Sequence, residues 1–183
     1  MNKDVAVINK ILLDCIPGRK TTYFSQDVIC NPQFRMRVPV ELLNCRVRLF
    51  APSPYELRSR IGASTSLLRN LDPAVGLCNG TKLTVGSFHN NIIEATIVAG
   101  PNAGDIVYTT RIKLITMADG KNPYDIICVQ FPARLAFSMT ISKAQGQTLD
   151  TIGLYFSSHV FGLGQLYIAL SRVSKPSSIK NYN

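Results

Sequence analysis

Seven polar or turn-forming residues crowd one short stretch of the chain: Thr140, Ser142, Lys143, Gln145, Gly146, Gln147 and Thr148. Such a cluster suits phosphate oxygens. Thr140 and Ser142 can donate hydroxyl hydrogen bonds, and Lys143 adds positive charge. Gly146 has no Cβ, so a ligand can approach its backbone closely. A second outcrop follows in Gln165-Leu166-Tyr167-Ile168-Ala169-Leu170-Ser171-Arg172-Val173, which reads as an amphipathic helix ending on an arginine. An arginine so placed can stabilise charge developing on a γ-phosphate during phosphoryl transfer. Plainer readings fit the same residues. The cluster also suits a solvated strand-to-helix turn capped by hydroxyls. Arg172 also suits a helix C-terminus, where a cation is favoured, or a surface ion pair.

Other candidates are weaker. Arg69 and Asn70, behind Leu67 and Leu68, can contact a nucleic-acid backbone, while an Arg69–Asp72 salt bridge explains them equally well. Tyr23, Phe24 and Phe34 lie near Arg19, Lys20, Arg35 and Arg37 and can form a stacking and phosphate-binding surface, or serve as core anchors. The five cysteines (Cys15, Cys30, Cys45, Cys78, Cys128) are far apart, and only His89 and His159 are available to join them. That spacing argues against a zinc site and for small buried side chains in a reducing compartment. No metal-ligating set is expected. No Gly-x-x-x-x-Gly-Lys-Ser/Thr run occurs, nor an acidic pair ending a clear strand to hold magnesium.

The elements that must carry these groups fall into three stretches. Val5, Ile8, Leu12, Cys15 and Ile16 form an apolar stripe at helical spacing after Asp4, and Pro17-Gly18 ends it. A helical turn is expected at Glu41-Leu42-Leu43-Asn44, and a strand at Arg46-Val47-Arg48-Leu49-Phe50. In the middle, Asn79-Gly80 beside a β-branched run is a hairpin signal. Strand-like segments follow at 92–98, 106–115 and 124–131, as in a small antiparallel barrel. After Pro132, strands at 137–141 and 152–156 and a helical stripe at Leu163, Leu166, Tyr167 and Leu170 point to an α/β layer.

Charge follows the same division. Residues 1–60 hold ten basic and five acidic side chains, 61–131 five of each, and 132–183 five basic and one acidic. The net charge of +9 therefore sits at the two ends. A polyanion would gain from that pattern through counterion release. The neutral middle reads as a separate insert, with a single mixed domain as the alternative. The 46% apolar and 17% charged content fits a folded globular chain. No stretch has the length of a membrane span, and the N-terminus has no signal-peptide pattern.

Read together, these residues resemble the C-terminal part of the petite-integration-frequency helicases of superfamily 1B, especially those carried by Helitron transposons. Residues 2–27 are similar to the segment opening the second motor domain, with Asn9 and Tyr23 on recurring positions. Glu41-Leu42-Leu43-Asn44 is similar to a Glu-Phe-Leu-Asn element. Gly62, then 67–72, then Gly76-Leu77-Cys78-Asn79-Gly80-Thr81 match the central stretch. The run from Phe131 through Thr148 resembles motif V, and 165–173 resembles motif VI. Ser64-Thr65-Ser66 and Gly162-Leu163 depart from the family pattern.

The resemblance implies an α/β fold: a second RecA-like helicase domain, residues 1–75 and 132–183, with a small SH3-like β-barrel inserted at 76–131. It implies an ATP-dependent 5′→3′ DNA helicase working with ATP and Mg2+ on single-stranded DNA, in DNA repair or recombination, with a nuclear location. Thr140, Ser142 and Lys143 would contact the DNA, Gly146 and Gln147 would face the nucleotide, and Arg172 would be the arginine finger. The phosphate loop and magnesium carboxylate would belong to an N-terminal RecA-like domain missing from these residues, so the chain alone is expected to be inactive. The alternatives are a non-catalytic single-stranded-DNA-binding fragment or transposon remnant, and a protein-interaction module.

Overall fold

The computed structural model describes residues 2–30, 55–116, 125–155 and 163–182. The expected turn at 41–44 and strand at 46–50, together with Phe34, Arg35 and Arg37, lie outside the described residues. Two compact units divide the chain, one of residues 1–12 and 137–183, the other of residues 13–136.

Helix α1 (Asn2–Cys15) begins before Asp4, which sits in its first turn, where a carboxylate favours the positive end of the helix dipole. Its inward stripe differs from the expected one by a residue. Asn9 and Leu13 are buried, whereas Leu12 and Cys15 are exposed. The shift follows from Asn9: a side chain with long-range hydrogen bonds to make takes an inward position that apolar spacing would assign elsewhere. Pro17-Gly18 ends the helix as expected, with Gly18 at φ +101°. The Arg60 guanidinium donates to the Ile16 carbonyl and lies 3.5 Å from Asp14, a cation at the helix C-terminus.

The unit of residues 13–136 is built from strands. β1 (Thr21–Phe24) pairs antiparallel with β3 (Glu56–Ser59). β4 (Ser64–Leu67), β5 (Lys82–Phe88), β6 (Ile92–Ile97), β7 (Ile106–Thr110) and β10 (Ala133–Leu135) form a five-stranded antiparallel sheet in the order β10-β4-β5-β6-β7. β2 (Gln26–Ile29), β8 (Ile112–Thr116) and β9 (Ile126–Gln130) form a three-stranded sheet in the order β2-β9-β8. One residue, Arg111, separates β7 from β8, and Phe131-Pro132 separates β9 from β10. Two stretches of chain thus pass from one sheet to the other.

Alternation explains the strands. Leu83, Ala95, Ile97 and Val107 are buried with Leu67 and Leu77, while Ile106, Tyr108 and Thr110 face outward. A second cluster gathers Tyr23, Leu57, Val85, Ile93 and Phe131, with the Tyr23 and Phe131 ring centroids 4.8 Å apart. Tyr23 is therefore a core anchor and not part of an exposed stacking surface. Gln130, fully buried, donates its amide to the carbonyls of Tyr23 and Tyr55 and accepts from the Phe131 N–H. Asn79-Gly80 does turn the chain, but not as a two-residue hairpin. Residues 72–77 fold back first, through a 3-10 turn (Pro73–Val75) capped by the Asp72 carboxylate, which accepts from the Ala74 N–H.

In the unit of residues 1–12 and 137–183, β11 (Ile152–Tyr155) and β12 (Ile179–Tyr182) pair in parallel. The unit also holds the larger part of α1, the helices α2 (Ile141–Ala144) and α3 (Leu163–Leu170), and a 3-10 turn (Pro176–Ser178). The expected strand at 137–141 does not form: residues 137–140 are irregular and α2 starts at Ile141. The α3 stripe is also reversed. Leu166, Tyr167 and Leu170 are exposed, Tyr167 at 73%, and Ala169 is buried, while the Leu163 side chain lies outside those described.

Candidate nucleotide and nucleic-acid interface

The polar cluster is held from its first residues by a contact distant in sequence. Asn9 Nδ2 donates to the Ser138 carbonyl at 3.1 Å, and the Ser138 N–H donates to Asn9 Oδ1 at 2.9 Å. The side-chain amide thus satisfies both backbone groups of Ser138, as a neighbouring strand would. Ser138 Oγ in turn donates to the Val5 carbonyl at 3.2 Å. This pairing accounts for the missing strand: the backbone groups that a ladder would use are already engaged by α1.

Thr140 is the first residue outside α2, with an extended backbone (φ −71°, ψ 150°), and its carbonyl accepts the N–H groups of Lys143 and Ala144. Its hydroxyl makes no capping bond, so the hydroxyl-capped turn is not what forms. Ala144 is buried and anchors the short helix, whereas Ser142 and Lys143 are exposed side by side. Gln145 and Gly146 are also exposed. Gly146 adopts φ +79°, in the left-handed region that favours glycine, with open space where a Cβ would stand.

Gln147 ties this turn to Arg172. Its N–H donates to the Ala144 carbonyl, and its Nε2 to the Lys143 carbonyl at 3.3 Å. Its own carbonyl accepts from Arg172 Nη1 at 3.4 Å. One residue past Thr148, the Leu149 N–H donates to the Arg172 carbonyl at 2.8 Å. Arg172 Nε also donates to the Ile168 carbonyl at 2.9 Å, and Nη2 to Ser171 Oγ at 2.8 Å. The arginine therefore closes the end of α3 and clasps the turn from both its main chain and its side chain. A guanidinium carries five N–H donors and a fixed charge, so donors remain for an external anion.

The structure brings Gly146, Gln147 and Arg172 together, with Ser142 and Lys143 one turn away. Arg69 and Asn70 lie in the other unit, both exposed. Asn70 Oδ1 accepts the Asn79 N–H at 2.7 Å and braces the 79–80 turn. The alternative Arg69–Asp72 bridge is not among the ion pairs of the described residues; the Asp72 carboxylate is the cap described above. Asn9 is the residue whose task sequence patterning missed. Its signal was a poor helix former on the inward side of a helix, where an amide must find partners. Among the described residues, no three His, Cys, Asp or Glu side chains converge as a metal site. No described helix is long and apolar enough to cross a membrane.

Comparison with known proteins gives this geometry a context. Residues 41–88 match the family model described as DNA helicase Pif1, 2B domain. The chain is 28% identical over 172 residues to the ATP-dependent DNA helicase PIF1 of Homo sapiens, covering 92% of this chain and 24% of that protein. Among solved structures, Bacteroides Pif1 bound to ssDNA aligns at a TM-score of 0.72 and 28% identity, over 99% of this chain and 38% of that one. Pif1 helicase from Candida albicans aligns at a TM-score of 0.78 over 100% of this chain and 44% of that one; at 24% identity, it supports the fold alone. The described fold is accordingly RecA-like α/β. The chain spans about a quarter of the length of the human relative.

Proposed function

We propose that this chain is the C-terminal helicase domain of a Pif1-family, superfamily-1B DNA helicase, binds single-stranded DNA by itself and needs a phosphate-loop domain to hydrolyse ATP. The observation that carries this reading is the Arg172 clasp on Gln147, beside exposed Ser142 and Lys143. A fixed cation with donors to spare, set next to a polar turn, is equipped to face a nucleotide on one side and a DNA backbone on the other. Thr140, Ser142 and Lys143 would contact DNA, and Arg69 and Asn70 would contact it on their own unit. Gly146 and Gln147 would edge the nucleotide, and Arg172 would reach its γ-phosphate. Mg2+ would be held mainly by the missing phosphate-loop domain.

Joined to such a domain, the chain would form an ATP-dependent 5′→3′ helicase. Its RecA-like part would comprise residues 1–75 and 132–183, and its SH3-like insert residues 76–131. One feature supports a barrel: β7 continues through Arg111 into β8, so the chain passes directly between the two sheets, which β2, β4 and β10 join from the flanking residues. A Helitron-type parent is the finer reading, resting on the resemblance of the motifs.

The test supplies a phosphate-loop domain from a relative to this chain and measures hydrolysis with and without single-stranded DNA. The Arg172→Ala form should lose roughly a thousandfold in turnover, the scale of an arginine finger, with DNA affinity within about twofold. Equal turnover by both forms sinks the finger assignment. DNA binding by the chain with no rescue of hydrolysis leaves a non-catalytic binding fragment or transposon remnant.

A further inference from the structure

The outward face of the five-stranded sheet carries two cations in line. Arg134 on β10 stands opposite Ser66 on β4, and Ser66 stands opposite Lys82 on β5. Directly opposed residues on one face have Cβ atoms about 5 Å apart, so the two basic stems stand roughly 10 Å apart, within reach of one another at their heads. Ser66 between them is buried, and both cations are half-buried. Partial burial, then the charge of Arg134, weakens the hold of Lys82 on its proton. Like charges on one face oppose folding.

Nothing described offsets that cost. The ion pairs among the described residues join Lys20 and Arg60 to Asp14, and Arg58 to Glu56. Glu94 is the carboxylate on this face, opposite Tyr108 and Ser87. Its side chain lies across Gly86, where an added Cβ would meet Oε1 at 3.1 Å, so it is turned to the β5 bulge and not to Lys82. The same face continues through Thr84 and Thr96, which pair across β5 and β6, to Tyr108 on β7, 59% exposed.

We propose that Lys82 and Arg134 grip a phosphate of single-stranded DNA on this face, with Tyr108 offering its ring to a base farther along. Two cations with no described counter-carboxylate are complementary to a phosphodiester. An exposed aromatic ring on the same sheet favours a nucleotide chain over a bare anion. The inference rests on the single-stranded-DNA reading above and adds a second binding surface to it, on the unit that does not hold Arg172.

The experiment measures binding of a labelled oligothymidylate to the full chain across a salt series. Replacing both cations (Lys82→Gln with Arg134→Gln) should weaken binding about threefold to tenfold at low salt and flatten the log–log salt slope by roughly 0.7, the loss of one single-strand phosphate contact. Thr84→Val, on the same face, should leave the slope unchanged. On the wild-type chain, acetic anhydride labelling of Lys82, read by mass spectrometry, should slow several-fold when the oligonucleotide saturates. That arm decides the matter even if the double variant fails to fold. An unchanged slope in a folded double variant, or unchanged Lys82 labelling, overturns this inference while leaving DNA binding elsewhere intact. Equal protection by inorganic phosphate at matched ionic strength overturns the DNA assignment in favour of a simple anion site. A wild-type chain that binds no oligothymidylate at low salt removes both readings.

Discussion

Asn9→Ala is the most direct probe of how the polar turn is held. The substitution removes two hydrogen bonds, of 3.1 and 2.9 Å, between a buried side chain and the backbone of Ser138. Each backbone group left without a partner costs about 1–3 kcal/mol when fully buried. Ser138 is only half-buried, so water recovers part of that, and about 2 kcal/mol in total is the expected loss. For a chain of this size, that corresponds to a fall in Tm of roughly 4–8 °C. The assay is thermal unfolding followed by far-UV circular dichroism, paired with amide hydrogen exchange at Ser138. The wild-type Ser138 amide should be protected, and the variant amide should exchange fast, while buried amides of the other unit, such as that of Leu83, keep their rates. Asn9→Asp separates the two bonds, since it retains an acceptor for the Ser138 N–H but turns a carboxylate oxygen toward the Ser138 carbonyl. A variant within about 0.5 kcal/mol of wild type, with Ser138 still protected, would refute the claim that Asn9 substitutes for a strand neighbour.

Two further outcomes follow from local geometry. Gly146→Ala meets no steric obstacle, so its cost is the left-handed backbone alone, about 1–2 kcal/mol; a chemical-denaturation midpoint equal to wild type would contradict the assigned φ. At Cys128, burial first and then the neighbouring Asp27 carboxylate push the thiol up to about 12. Cys128 should therefore resist iodoacetamide at pH 8 while exposed Cys15 reacts. A raised thiol pKa means that the neutral form is favoured in the fold. Its contribution to stability is whole below the unfolded value near 9 and is lost as pH rises toward about 12. A melting curve for Cys128→Ala that declines through that window as steeply as wild type would contradict this.

Much of the architecture follows from local patterning in the chain. The apolar spacing of residues 5–16 with Pro17-Gly18 behind it points to a helix and its end, and the strand-like runs at 92–98, 106–115 and 124–131 point to strands, because both signals depend on neighbours within one or two turns of chain. The polar outcrop at 140–148 and the arginine at 172 were equally legible, since their residue types announce them. What the sequence by itself could not determine is who meets whom. Asn9 and Ser138 are 129 residues apart, and their pairing turns an apparent strand at 137–141 into an irregular lead-in to a short helix. Arg111 splits one strand-like run into two because its guanidinium lies 5.5 Å from the Tyr23 ring centroid and 5.2 Å from that of Phe131, and donates to the Phe24 carbonyl. Arg172 meets Gln147 across 25 residues. Propensity and periodicity are short-range energies, whereas a buried amide or guanidinium must satisfy its donors wherever the fold supplies acceptors, and that requirement is settled only when the tertiary structure forms.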